Sequence, residues 1–217
     1  MKRLSRSPAV PLVLVLVVAG AAIAVLAIGN GKSSDTLPGN AKKQAPADGY
    51  RGSLLSPVRA APPIKLRNYL GKPVSLTQYR GKAVLVTFLY VHCPDVCPAI
   101  ASALRVVDQQ LGPAAKKVQM VAVSVDPRGD KPSSVARFLA QRRMTGRMQY
   151  LVGSAKQLVP VWKAWNVGSQ QDASNPEFVA HTALVYGVSG SGKLTTIYPS
   201  NFKPADIEHD VPKLAAS

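Results

Sequence analysis

The run V-L-V-T-F-L-Y-V-H-C-P-D-V-C-P-A-I, Val84 to Ile100, constrains the fold more than any other stretch of the chain. Val84 to Val91 is apolar and β-branched, without the alternation of a half-exposed strand, and so reads as a strand buried on both faces. Cys93 and Cys97, the chain's two cysteines, follow at once, flanked by Pro94 and Pro98. Proline is favoured in a helix's first turn because its missing N–H has no partner there anyway. The thiols therefore stand where a buried strand hands over to a helix N-terminus, whose partial positive charge favours thiolate over thiol. A thiolate is both the nucleophile of disulfide exchange and a ligand for soft metals, and both readings stand. The i, i+4 spacing puts the sulfurs one helical turn apart, able to close a disulfide or to face one small ion.

At 217 residues the chain has room for one domain of about 150 residues and a tail. Two cysteines are no disulfide scaffold, so the fold rests on burial. The net charge of +16, from 27 Lys and Arg against 11 Asp and Glu, invites a nucleic-acid reading. The basic residues are scattered, however, with only doublets such as Lys116-Lys117 and Arg142-Arg143, and no nucleic-acid partner is expected. A diffuse excess of this kind suits solubility, nearness to anionic lipid, or steering toward an acidic partner.

Lys2, Arg3 and Arg6 precede Val10 to Ile28, a run without a charged residue. It is longer than the core of a signal peptide and close to the roughly 20 residues that span a bilayer. Residues 1–29 are expected to be a cytoplasmic N-terminus and a retained single-pass membrane anchor, with the following domain on the extracytoplasmic side. Residues 30–60 are rich in Gly, Ser, Pro, Ala and Lys, without periodicity, and read as a flexible tether. The folded domain is expected over 61–217.

Within it, Pro62–Leu66 and Val74–Leu76 read as a hairpin around Gly71-Lys72-Pro73. The cysteine helix is expected from Pro98 to Leu111, a second buried strand over Val118–Val125, and helices over Ser133–Arg143 and Ala155–Asn166, with Ser154 as N-cap. A short strand covers Tyr150–Val152. Gly168 to Pro176 reads as a polar loop, Thr182–Val188 and Leu194–Tyr198 as a hairpin through Gly190-Ser191-Gly192, and Lys203–Leu214 as a closing helix. This order describes an α/β sheet with flanking helices, and the cysteines fall at the C-terminal end of a central strand, where ligand sites gather in such folds.

His181, just before an apolar A-L-V-Y run, is the third residue of interest. Two thiolates and one imidazole make a three-coordinate set suited to copper, since cysteine selects Cu(I) and imidazole suits both oxidation states. A purely structural role for a lone strand-end histidine stands beside that reading. His92 is directed away from Cys93 by strand alternation, and His209 falls in an acidic helix expected to be exposed.

Several motifs together resemble the Sco (SenC) family: Gly71-Lys72-Pro73-Val74-Ser75-Leu76 with Arg80-Gly81-Lys82, His92-Cys93-Pro94-Asp95-Val96-Cys97-Pro98, Ser124-Val125-Asp126-Pro127 with Arg128 and Asp130, Gly153-Ser154 leading to Trp165-Asn166-Val167, and His181. The seven-residue cysteine motif is the most specific. The resemblance implies a thioredoxin-like domain behind an N-terminal transmembrane segment. It implies a copper metallochaperone whose Cys93, Cys97 and His181 hold one copper ion. It also implies, as partner, cytochrome c oxidase subunit II, whose dinuclear copper centre it would help to metallate, and further copper carriers or thiol–disulfide reductases beside it. A non-enzymatic carrier is the leading expectation. The rival is a thiol–disulfide reductase in which Cys93 attacks and Cys97 resolves, keeping the oxidase cysteines reduced. A peroxidase surround for Cys93 is not recognisable. The chain departs from the family at Ala180, where an Asp commonly precedes the ligand histidine. Such a carboxylate fixes a ligand's tautomer and orientation, so either copper is held more weakly or Asp126 or Asp130 supplies the orienting group. Those two aspartates otherwise read as turn and helix-cap residues.

Overall fold

Strand β4 (Ala83–Leu89) is buried at every position and lies inside an eight-stranded sheet, as its unbroken apolar run requires. The other strands are β1 (Ser53–Ala60), β2 (Lys65–Asn68), β3 (Pro73–Ser75), β5 (Val118–Ser124), β6 (Met148–Val152), β9 (Leu184–Val188) and β10 (Lys193–Pro199), in the order β1-β10-β9-β4-β5-β6-β2-β3. A separate two-stranded sheet pairs β7 (Ser169–Gln171) with β8 (Val179–His181). The helices are α1 (Val96–Leu111), α2 (Pro132–Gln141), α3 (Ala155–Ala164) and α4 (Pro204–Ala216). The computed structural model describes residues 49–171 and 179–217. The apolar run Val10–Ile28 and tether residues 30–48 lie outside them, and no helix among the described residues is long and apolar enough to cross a membrane.

β4 pairs parallel with β5 in a register that sets Leu89 beside Ser124, and antiparallel with β9. β5 pairs parallel with β6, so the cysteine loop, the Asp126 loop and the end of β6 open at one end of the sheet. Helix α1 joins β4 to β5 and α2 joins β5 to β6, the crossovers that parallel strands demand. Ile100, Ala101, Leu104, Val107 and Leu111 give α1 a buried stripe at helical spacing. α1 packs against α4, which also covers β4. Trp162 and Trp165 are core residues. This is the α/β sheet with flanking helices expected from the element order.

Three expectations need correction. Ser53–Ala60, assigned to the tether, is edge strand β1, paired antiparallel with β10. Its side chains are almost all exposed, so no burial pattern marks it, and backbone pairing places it. Asp210 completes the attachment: fully buried, it accepts the amides of Arg51 and Gly52 at 2.8–3.0 Å and the Tyr198 hydroxyl at 2.8 Å. His209, read as exposed, is half-buried with Nδ1 2.8 Å from Asp210. Part of the segment read as a polar loop forms β7, held to β8 by main-chain pairing of residues that do not alternate.

Candidate metal centre

The turn after β4 brings the Cys93 amide back to the Tyr90 carbonyl at 3.4 Å, so the strand ends at Leu89 rather than Val91. Asp95 then caps α1, its carboxylate accepting the Val96 amide, and starts the helix two residues before Pro98. Cys97 thus lies in the first turn with its side chain fully buried, while Cys93, 8% exposed, sits just outside the helix. The Cys97 amide donates to Cys93 Sγ at 3.3 Å, one of the unpaired N–H groups that every helix N-terminus presents.

Those contacts split the two thiols. A hydrogen bond from Cys97, reinforced by the Cys97 and Asp95 amides and by Tyr90, outweighs burial and brings the Cys93 thiol down to about 6. The same hydrogen bond, seen from its donor, together with burial pushes the Cys97 thiol far up. Cys93 is the thiolate at neutral pH and Cys97 keeps its proton.

His181 ends β8, opposite Ser169 of β7, not at the start of the following hairpin strand. Its Nε2 lies 3.5 Å from Cys97 Sγ and its Nδ1 lies 3.1 Å from the Thr182 carbonyl. With Nδ1–H donated to that carbonyl, the Nε2 lone pair is left facing the sulfur. Burial lowers the imidazole's pKa and keeps it neutral, which ligation requires. The orienting group is therefore a backbone carbonyl rather than an aspartate. Asp126 instead accepts the Arg128 and Gly129 amides in a turn. Asp130 is buried beneath the cysteine loop, accepting the Val91 amide and the Tyr150 hydroxyl, both at 2.9 Å. The His92 ring crowds the space beside Gly129 Cα together with the Asp126 carboxylate.

The sequence reading overlooked Tyr90. It looks like one more apolar strand residue, and indeed it is 1% exposed. Its ring meets the His181 ring edge to face, with centroids 5.7 Å apart. Burial pushes its hydroxyl up to about 12, so it stays protonated.

Among the described residues no three His, Cys, Asp or Glu side chains already form a metal cage. The Cys97–His181 edge nevertheless has the right width. Bonds of about 2.3 Å to sulfur and about 2.0 Å to nitrogen, at a tetrahedral angle, hold the two donors about 3.5 Å apart. Two thiolates and a neutral imidazole suit a soft ion; the same thiol pair can also exchange disulfides.

The SCO1/SenC family model matches residues 55–216. The chain is 30% identical over 138 residues to the mitochondrial SCO2 homolog of Bos taurus, an alignment covering 61% of this chain and 51% of that one. It spans about half the length of the curated relatives that it matches. Among solved structures, apo Sco1 from Thermus thermophilus superposes with a TM-score of 0.66 at 27% identity, over 79% of this chain and 99% of the other. ScoI of Bradyrhizobium japonicum, solved with copper bound, gives 0.61 at 27% identity, over 71% and 99%.

Proposed function

This chain belongs to the SCO1/SenC family, and we propose that it is a membrane-anchored copper metallochaperone. In this reading, residues 1–29 anchor it, the following segment tethers it, and the domain works on the extracytoplasmic side. Cys93, Cys97 and His181 hold one copper ion and pass it toward the dinuclear copper centre of cytochrome c oxidase subunit II. The observation that carries the reading is the 3.5 Å approach of His181 Nε2 to Cys97 Sγ, with Cys93 Sγ on the adjacent amide. A thiol pair that only exchanged disulfides would have no need of an imidazole held with its lone pair inward.

The copper is cargo, and the site suits transfer. Cys93 offers a ready thiolate, Cys97 yields its proton on binding, and His181 supplies a neutral nitrogen from another element of the fold. An incoming cysteine of the recipient would displace donors one at a time. Loading full-length protein in detergent with copper, and measuring stoichiometry by elemental analysis, tests the reading. One copper per chain is expected, and none with Cys93→Ala or Cys97→Ala.

The split between the thiols favours a second activity of the same pair. Cys93 thiolate attacks a disulfide of the target, forming a mixed disulfide and releasing one target thiolate. Cys97 then loses its proton and attacks Cys93 Sγ, which frees the second target thiolate and leaves Cys93–Cys97 oxidised. Two electrons pass to the target, and an external thiol reductant must restore the pair. Reduction of a model disulfide that survives His181→Ala and vanishes with Cys93→Ala would identify this activity.

A further inference from the structure

Basic residues that stand scattered along the sequence are gathered by the strand register. Lys82 precedes β4, Lys117 precedes β5 and Arg147 precedes β6, and parallel pairing sets these three strand starts side by side. Antiparallel β9 turns at that same end into β10, which opens with Lys193, and Arg59 of β1 pairs with Leu194 next to it. These residues, with Lys116, are exposed along one end of six adjacent strands, a row about 24 Å long. Among the described residues its lysines make no ion pair, and its one acidic contact is Asp108, 3.5 Å from Arg147. The cysteine loop lies at the other end. There Lys131, Lys156 and Lys203 share the surface with Asp95, and with Asp206, whose carboxylate lies 3.9 Å from Arg51.

We infer that the basic end rests on anionic lipid headgroups and holds the metal centre on the far side. The inference rests on the anchored reading above, which puts the domain beside a bilayer. Charge complementarity selects the partner. A row of cations this long matches a headgroup surface rather than a single small anion, and each Lys or Arg near such a surface strengthens association roughly fivefold. The length of the chain allows the pose. β1 enters the sheet at the metal-centre end, where Ser53 pairs with Ile197 near the close of β10. Residues 29–52 reach at most about 80 Å, and the sheet is about 23 Å tall along the seven residues of β4. Docked so, the cysteine loop and His181 face water, where a recipient's domain can reach them.

The full-length protein is reconstituted into nanodiscs of phosphatidylglycerol or of phosphatidylcholine, and its lysines are acylated and followed by mass spectrometry. In phosphatidylglycerol, Lys82, Lys116, Lys117 and Lys193 should react at least about fivefold more slowly than in phosphatidylcholine, while Lys131, Lys156 and Lys203 keep their rates. Salt at about 0.5 M should abolish the difference. Lys116→Glu combined with Lys117→Glu should restore the rates of Lys82 and Lys193 as well, which a purely local effect of lipid on each amine would not do. Equal rates in the two lipids would overturn the inference and leave this end to an acidic protein. Slowing confined to Lys131, Lys156 and Lys203 would overturn it too, by turning the metal centre toward the bilayer. If the chain enters neither nanodisc, the anchored reading fails, and cosedimentation with phosphatidylglycerol vesicles decides the inference alone. Binding that the double Glu variant loses supports it, and no binding overturns it.

Discussion

Tyr150, on the third of the parallel strands, donates its hydroxyl to Asp130 Oδ2 at 2.9 Å, beneath the loop that carries the cysteines. The other carboxylate oxygen of Asp130 takes the Val91 amide, so one buried side chain ties β6 to the cysteine loop. Burial raises this carboxyl from 3.8 to about 6, against the pull of its hydrogen bonds.

A pH-dependent stability follows. A carboxyl with a raised folded pKa contributes stability that is fully present below 3.8 and lost as pH rises through about 6. Above that, the folded protein holds an ionised carboxylate at a cost on the order of 3 kcal/mol. Asp130→Asn keeps an acceptor for Val91 and removes the charge, so its melting temperature relative to the parent should rise between about pH 4 and pH 7. Asp130→Ala strands the Val91 amide and the Tyr150 hydroxyl and should be less stable at every pH. A parent-minus-Asn difference that does not move with pH would contradict the assignment.

Metal loading should release protons in a defined number. Above about 6 Cys93 is already thiolate, whereas Cys97 still carries its proton. Each Cu(I) bound near pH 7.5 should therefore displace about one proton, rising toward two as the pH falls below 6. Titration in weak buffer with a pH indicator counts them. Two protons released at pH 7.5 would mean that Cys93 is an ordinary thiol.

The Asp210 attachment of β1 is testable by its removal. Asp210→Ala leaves the Arg51 and Gly52 amides and the Tyr198 hydroxyl without their shared acceptor. Unsatisfied buried groups cost about 1–3 kcal/mol each, so a loss of more than about 3 kcal/mol is expected by denaturant unfolding. Amide exchange in β1 should accelerate more than in β4. Equal acceleration in both strands would mean that Asp210 supports the whole core rather than this edge.

What the sequence showed and what it hid follow from where each interaction lives. Cys93 and Cys97 were legible because their chemistry depends on local order: a buried run, two prolines and a helix start. β4 was legible because burial on both faces leaves an unbroken apolar stretch. β1 was not, because its exposed side chains record nothing of its main-chain pairing. The missing aspartate at Ala180 left two readings, a weaker hold on copper or an orienting carboxylate from Asp126 or Asp130. The group is the Thr182 carbonyl, and a backbone atom leaves no mark on residue identity. Asp130 likewise read as a cap, since its burial depends on Tyr150, twenty residues further on. Tyr90 was hidden by its company of apolar neighbours.

The central claim is that His181 belongs to the same site as the two cysteines, and the behaviour of copper in its two oxidation states tests it most directly. Cu(I) is satisfied by two thiolates, whereas Cu(II) calls for a nitrogen donor as well. Absorption spectra of the reduced full-length protein in detergent, loaded with each ion, are compared between the parent and His181→Ala. The variant should retain Cu(I) at one per chain and lose the Cu(II) charge-transfer band. A His181→Ala protein that binds Cu(II) with the parent's band and affinity would contradict the account, making His181 a structural residue and leaving the cysteines a redox pair.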